Sequence, residues 1–536
     1  MEGDKNVVET SETHFVKQYK PGSQARVELK NGRILDVVNG CYFDVGTSVI
    51  LQDGKIESMP GLVSEPRVPV DFTIDLKGKT VLPSLFNTHC HLIQFEPTMA
   101  LDISDMRQTN RYKEQQKEKN LSECLAHGIT HIRDAWHPDL RENRALQERI
   151  VKGEIPGPRI VQSVVVGPTG SYMQEKPTFV MKITRMPQSD TSKVYGGAVA
   201  FPAEATEEQV RAAVDTAIDE RGAEVIKIGD ETFSLFAQKA VPVMTTEQLC
   251  VLADQARRRG VPTTMHHSSV ESFRRGAQAG ITSLAHAPWD GLLSQEDIKA
   301  FIASGCFCEP TVSAFYGMLS WKTKGGGLNN HPVLNRLTDF RDRTHTFADI
   351  AEEYYIPELR AVVMNGYRRF DSGKPKMMGI MDMSAMAAFS EKTVTYFENF
   401  CLLFENGVPL AAGNDNKPPC TPAMTDLELL MFDHLLQGKP NGRQLRGADA
   451  VKIATINSAR SLGLEDKFGS IETGKTADLI ILDGDPLEDF RLIGSRVAAL
   501  FMDGKLVINN CDLDVEPYRK VYDRDKVSSG LVDDEN

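Results

Sequence analysis

The chain is expected to fold as an α/β protein, a TIM (β/α)8 barrel with a small composite β-sandwich built from both ends of the sequence. Three observations predict this. Eight apolar, β-prone runs alternate with amphipathic helical segments through the middle of the chain. Short β-type runs broken by Asn-Gly and Asp-Gly turn dipeptides recur at the two ends. Residues with metal-ligating or acid–base chemistry stand at the C-terminal ends of the central runs, where such barrels carry their active sites.

A chain of 536 residues can bury a large core and hold one big domain plus a smaller one. The 41% hydrophobic and 25% charged residues are those of an ordinary globular protein. A formal net charge of −13, with no basic stripe, argues against nucleic acid or anionic membrane as partners. No apolar run reaches about 18 residues, so no membrane span is expected. Met1-Glu2-Gly3-Asp4-Lys5 opens without the apolar stretch of a signal peptide, and nine cysteines lack framework spacing. Reduced thiols in a cytoplasmic protein follow as the expectation. The expected partners are a small-molecule substrate and further copies of the chain in a homo-oligomer.

In order, residues 1–23 read as a polar leader. Residues 24–80 supply the N-terminal half of the sandwich through Arg26–Leu29, Ser48–Leu51 and Phe72–Leu76, with Asn31-Gly32 and Asp53-Gly54 as turns. The barrel is expected over 81–465, its strands at 81–90, 130–134, 160–166, 224–229, 262–267, 282–286, 306–312 and 408–413. Helices after them open with capping signals: Thr206-x-x-Gln209, Thr245-x-x-Gln248, Ser268-x-x-Glu271 and Thr425-x-x-Glu428. Two stretches, near 167–203 and 313–384, exceed ordinary loop length and read as insertions overhanging the site or as contacts between copies. Residues 466–514 return to the sandwich through Ala477–Leu482, Ala498–Met502 and Leu506–Ile508, and 515–536 form a charged tail.

The chemistry concentrates at strand ends. His89 and His91 lie two apart on a strand, so both imidazoles face one side and can grip one cation. Lys227 sits inside Glu224-Val225-Ile226-Lys227-Ile228-Gly229, a buried-strand pattern where a lone ammonium is costly unless paired, neutralised or modified. His266, His286 and Asp415 each close an apolar run, Asp415 just after the close-approach residue Gly413. Singly, a strand-end His is more often a core hydrogen-bonding residue and a strand-end Asp a helix cap. Together, on different strands, they point to a metal centre.

These passages resemble the amidohydrolase superfamily over roughly residues 24–510. Ile74-Asp75-Leu76-Lys77-Gly78-Lys79-Thr80-Val81-Leu82-Pro83 leading into His89-x-His91 is similar to its entry into the barrel. Gly128–Asp134 looks like its second strand, and Gly469–Leu479 through Asp483–Leu487 like its return to the sandwich. Lys227, the step from His266 to His286, and Pro310-Thr311 resemble the imidazolonepropionase-related and prolidase-like branch. The resemblance implies one or two divalent metal ions, zinc foremost. His89, His91 and Asp415 would hold one ion and His266 and His286 the other, with a carboxylated Lys227 bridging both. It further implies a hydroxide held on the metal attacking an amide-type C–N bond, in a dipeptide, N-acyl amino acid or cyclic amide, with Asp415 as the catalytic proton carrier. A mononuclear site with unmodified Lys227 is the variant reading.

The chain departs from that pattern in places. Ser84 stands where Gly is usual, Ser268 where a second His is frequent, and Tyr172 where the branch commonly has His. Tyr172 and His137 are the candidate substrate contacts. His267 is read as structural or supporting, His127 and His131 as packing residues, and Asp134 as a brace. The rival functions are a heterocycle aminohydrolase (deaminase), an esterase or lactonase on the same scaffold, and a non-catalytic scaffold protein. Deaminases of the superfamily place Glu three residues after the fifth-strand His, where this chain has Ser269 or Val270, and lack the metal lysine. Scaffold members lose ligands, and none is lost here.

Overall fold

A computed structural model of the chain describes residues 25–61, 69–92, 103–174, 196–234, 239–316, 332–343, 345–371, 383–437, 442–511 and 513. The expected leader and charged tail, and parts of both expected insertions, lie outside these residues.

Seven parallel strands run round the barrel in chain order: Leu85–Cys90, Ile129–Asp134, Arg159–Pro168, Val225–Asp230, Thr263–His267, Ser283–Ala285 and Phe307–Glu309. Each pairs in parallel with the next, for example Ile226 with Thr263 and Ala285 with Glu309. The eighth position is reduced. Instead of a strand over 408–413 there is one parallel bridge, Cys308 to Leu410. Backbone bonds Cys308 N to Pro409 O and Thr88 N to Ala412 O, at 2.9 and 2.7 Å, join this segment to the seventh and first strands. The result is a nearly closed parallel barrel.

The expected strand 81–90 is in fact two. Thr80–Pro83 joins a sheet with Leu479–Leu482 and Arg33–Asp36, while Leu85–Cys90 enters the barrel. The break falls at Ser84, whose N–H donates to Asp478 O and whose hydroxyl pairs with Thr130 Oγ1. Segments from the two ends of the chain make two sheets, one of six strands and one of four. The six-stranded sheet adds Cys41–Tyr42, Ala499–Met502 and Lys505–Asn509. The four-stranded one pairs Val27–Lys30 with Val49–Gln52 and Phe72–Asp75, and Val49–Gln52 with Lys55–Ser58. Val27, Leu29, Val49 and Leu51 from the second sheet share one apolar core with Leu479, Ile481, Ala499 and Phe501 from the first.

The capping signals divide. Thr206 and Thr245 form full capping boxes with Gln209 and Gln248. The next helix is capped one residue later than expected, by Ser269 accepting from Ser272 N–H. Thr425 makes no cap. Glu428 instead accepts from Val312 and Ser313 N–H at 2.9 and 2.7 Å, pinning the turn that follows the seventh strand. Within the expected 167–203 insertion, Ala198–Phe201 extends the sheet beside Val165–Pro168. Within 313–384, the helices Phe347–Tyr354 and Pro357–Asp371 pack on the outer helix Ile103–Ala126, with Gln116 bonded to Tyr354 O and Ile356 N. No helix among the described residues is long and apolar enough to cross a membrane.

Candidate active site

Because the strands are parallel, their C-terminal ends gather the predicted side chains at one mouth. His89 and His286 have ring centroids 5.2 Å apart, His266 and His286 4.7 Å, and His89 and His91 5.5 Å. The Nε2 atoms of His91 and His89 lie 3.3 and 3.9 Å from Asp415 Oδ1. Donor atoms of His89, His286 and Asp415 all lie within 4.8 Å of one another. This grouping puts His286 with His89 and Asp415, whereas the family resemblance groups it with His266.

The backbone around the mouth is tightly specified. His91 N–H donates to Asn416 Oδ1 at 2.7 Å, Asp415 N–H to His89 O at 2.7 Å, and Asn87 Nδ2 to Asn414 Oδ1 at 2.9 Å. Three non-glycine residues here adopt left-handed backbone: His286 at φ 81°, Thr311 at 49° and Asp415 at 43°. Such conformations cost about 1–3 kcal/mol each and persist where the surroundings over-determine them, commonly at functional sites. His286 Nδ1 and Thr311 Oγ1, two of those residues, are hydrogen-bonded at 2.7 Å.

Electrostatics suit cation binding. Burial first, and neighbouring cationic or imidazole groups second, hold His89, His266 and His286 well below the usual histidine range. Neutral imidazoles keep a lone pair to offer. Burial opposes ionisation of Asp415, but Lys417 and the His91 bond prevail and hold it well below the usual carboxylate range. Lys227 is fully buried, and its ammonium nitrogen has no hydrogen-bond partner among the described residues. Burial, then Arg133, pushes it down to about 7. An orphan amine among imidazoles and a carboxylate fits a hard divalent cation with nitrogen and oxygen ligands.

Tyr172 stacks on His266, centroids 4.6 Å apart and planes 7° apart. Gly229 makes room for it, since a Cβ there would lie 3.1 Å from Tyr172 Cβ. His137 makes local contacts: its Nδ1 accepts from Asp139 N–H at 3.2 Å and its Nε2 faces Glu142 at 3.8 Å. His131 stacks on Phe86, and Asp134 accepts from Asn143, both as supporting residues. His267 is buried edge-on to Phe273.

Four charged residues of the site lie outside the candidates read from the sequence. Arg133 and Glu309 form a fully buried pair beside His89. Lys417 lies 3.3 Å from Asp415 Oδ1, and Glu231 3.8 Å from His266 Nε2. Burial pushes Glu231 up to about 7. Only for Glu231 is there a hint in the sequence, the acidic pair Asp230-Glu231 at a strand end.

Comparison with known proteins bears on the family and the fold. A model of the amidohydrolase family matches residues 80–507. A 5-methylthioadenosine/S-adenosylhomocysteine deaminase of Teredinibacter turnerae is 30% identical over 129 residues, 21% of this chain and 28% of that protein. An imidazolonepropionase of Picrophilus torridus is 43% identical over 67 residues, 12% of this chain and 17% of that one. The chain thus spans under a third of the length of these curated relatives. Among solved structures, a Xaa-Pro dipeptidase with bound methionine superposes with a TM-score of 0.60 at 21% identity, covering 90% of this chain and 100% of the other. Ochratoxinase of A. niger does so at 0.58 and 18%, covering 91% and 96%. These structural likenesses speak to the fold. With the family match spanning most of the chain, the protein belongs to the amidohydrolase family.

Proposed function

We infer that the protein hydrolyses an amide-type C–N bond in a small substrate carrying a carboxylate, such as a dipeptide or N-acyl amino acid. The observation that carries this reading is the convergence of four histidines, Asp415 and the orphan Lys227 at one barrel mouth. His89, His91, His266, His286 and Asp415 would hold one or two divalent ions, zinc foremost. A cation bound there supplies Lewis-acid polarisation of the scissile carbonyl and a lowered pKa for water.

The protein's own groups do the rest. Asp415 takes the proton of the attacking water and returns it to the leaving nitrogen. Lys227, pushed down to about 7, has a neutral amine fraction at neutral pH that can add CO2 and lose a proton, giving a carbamate. Lys417, beside Asp415 and partly exposed, offers a cation to a substrate carboxylate. Tyr172 forms a wall over His266. We read the two terminal sheets as a composite sandwich bracing the barrel, and propose a homo-oligomer in a cytoplasmic setting.

Deamination of a heterocycle is the second reading, favoured by one observation: Glu231 brings a carboxyl to His266 from the end of the fourth strand. The test is elemental analysis of the purified protein, followed by turnover of N-acyl amino acids, dipeptides, cyclic amides and heterocyclic amines. One to two divalent ions per chain and amide cleavage are expected. Lys227→Ala should lose activity that small carboxylates with excess metal restore in part. Full activity in metal-free protein sinks the reading, and ammonia release from a heterocycle without amide cleavage selects the second.

A further inference from the structure

Two fully buried charges beside the ring cluster take no part in the chemistry assigned to Asp415. Arg133, on the second barrel strand, grips Glu309, on the seventh, with Nη1 3.1 Å from Oε1 and Nη2 2.6 Å from Oε2. His89 Nδ1 meets the same pair, 3.3 Å from Glu309 Oε2. Arg133 Nη2 is also 3.3 Å from Nδ1.

A buried ion pair is a poor stabilising device. Desolvation offsets its attraction, and well-packed apolar replacements are often neutral or better. What the pair touches gives a reason for it other than stability. Histidines that ligate a metal generally give their other ring N–H to a carboxylate or carbonyl, which fixes tautomer and ring plane. Nη2 makes its short contact with the carboxylate, which leaves Oε2 as the acceptor for Nδ1–H. Nε2 then keeps its lone pair, and Nε2 is the atom that faces Asp415.

We propose that the Arg133–Glu309 pair is a positioning device for His89, fixing its Nδ1–H tautomer and aiming Nε2 at the cation site shared with Asp415 and His286. Arg133 holds the carboxylate by both oxygens, so Glu309 cannot rotate away from the ring. The inference rests on the metal-hydrolase reading of the site.

The test measures zinc affinity of chelator-stripped protein by competition with a chromophoric chelator, with the melting temperature recorded alongside. The double variant Arg133→Met with Glu309→Met removes both charges and keeps apolar volume. It is expected to melt near the wild type yet bind zinc about 10–100-fold more weakly. Glu309→Asp keeps the charge but retracts the oxygens, and a loss in the same direction is expected. Wild-type affinity in a folded double variant overturns the proposal. If the double variant fails to fold, unchanged affinity in Glu309→Asp overturns it and weakened affinity supports it. Wild-type protein that binds no zinc overturns the metal reading itself.

Discussion

Gly413 stands against His89: a Cβ on Gly413 would lie 2.7 Å from His89 Cβ and 2.9 Å from its backbone nitrogen. Neither neighbour can swing aside. Gly413→Ala must therefore push the closing segment away from the first strand, at a cost of about 1–3 kcal/mol for overpacking. A lower melting temperature and reduced metal content are expected by calorimetry and elemental analysis. Both unchanged would show that the segment yields without disturbing His89.

Asp415→Asn keeps the side-chain shape and one ligand oxygen but cannot take a proton. Turnover is expected to fall about 10²–10⁴-fold, mainly in kcat, with much of the metal retained. Steady-state kinetics on metal-replete protein check this. A near-normal kcat would leave Asp415 a ligand only.

Lys417→Met removes the cation beside Asp415 while keeping much of its length. Losing a charge-assisted contact of about 1.5–3 kcal/mol should raise KM for carboxylate-bearing substrates about 10–100-fold. Carboxamide analogues of the same substrates should change little. Equal effects on both series would assign Lys417 to the electrostatics of Asp415 alone.

Away from the mouth, His127 is bonded to Gly494 O, 2.6 Å from Nδ1, and its Nε2 lies 3.5 Å from Glu353. Burial disfavours its charge, but Glu353 and Asp426 outweigh burial and raise it above the ordinary value. A raised folded pKa contributes stability that is fully present below the unfolded value, about 6.5, and is lost as pH rises through the folded one. The melting-temperature gap between wild type and His127→Gln is thus expected to be wide at a pH about one unit below that value and to narrow in mildly alkaline buffer. A gap that widens with pH would reverse the assignment.

The barrel was legible because buried parallel strands are written as continuous apolar runs, and the site because its candidate ligands close those runs. The eighth run misled: Pro409–Gly413 is as apolar as the others, yet bonds its neighbours through one bridge and isolated contacts. Thr425-x-x-Glu428 misled differently, since a capping motif and a carboxylate reaching for another loop have the same spelling. Arg133 and Glu309 were invisible for a further reason. Their partners are distant in sequence, and a charged residue inside a strand pattern announces a partner without naming it. His286 and Thr311 likewise gave no sign of their left-handed backbone, which tertiary bonds impose.

The junction at Ser84 has a consequence for how the protein is assembled. The strand bearing His89 is continuous, through one residue, with a strand whose antiparallel partner is Leu479–Leu482. During synthesis that partner emerges after every barrel strand has left the ribosome. Contacts of such sequence separation form late, because loop closure must precede their reward. The strand bearing His89 can thus pair early with its neighbour Ile129–Asp134, whereas the short strand that leads into it keeps one edge unpaired until the returning segment docks.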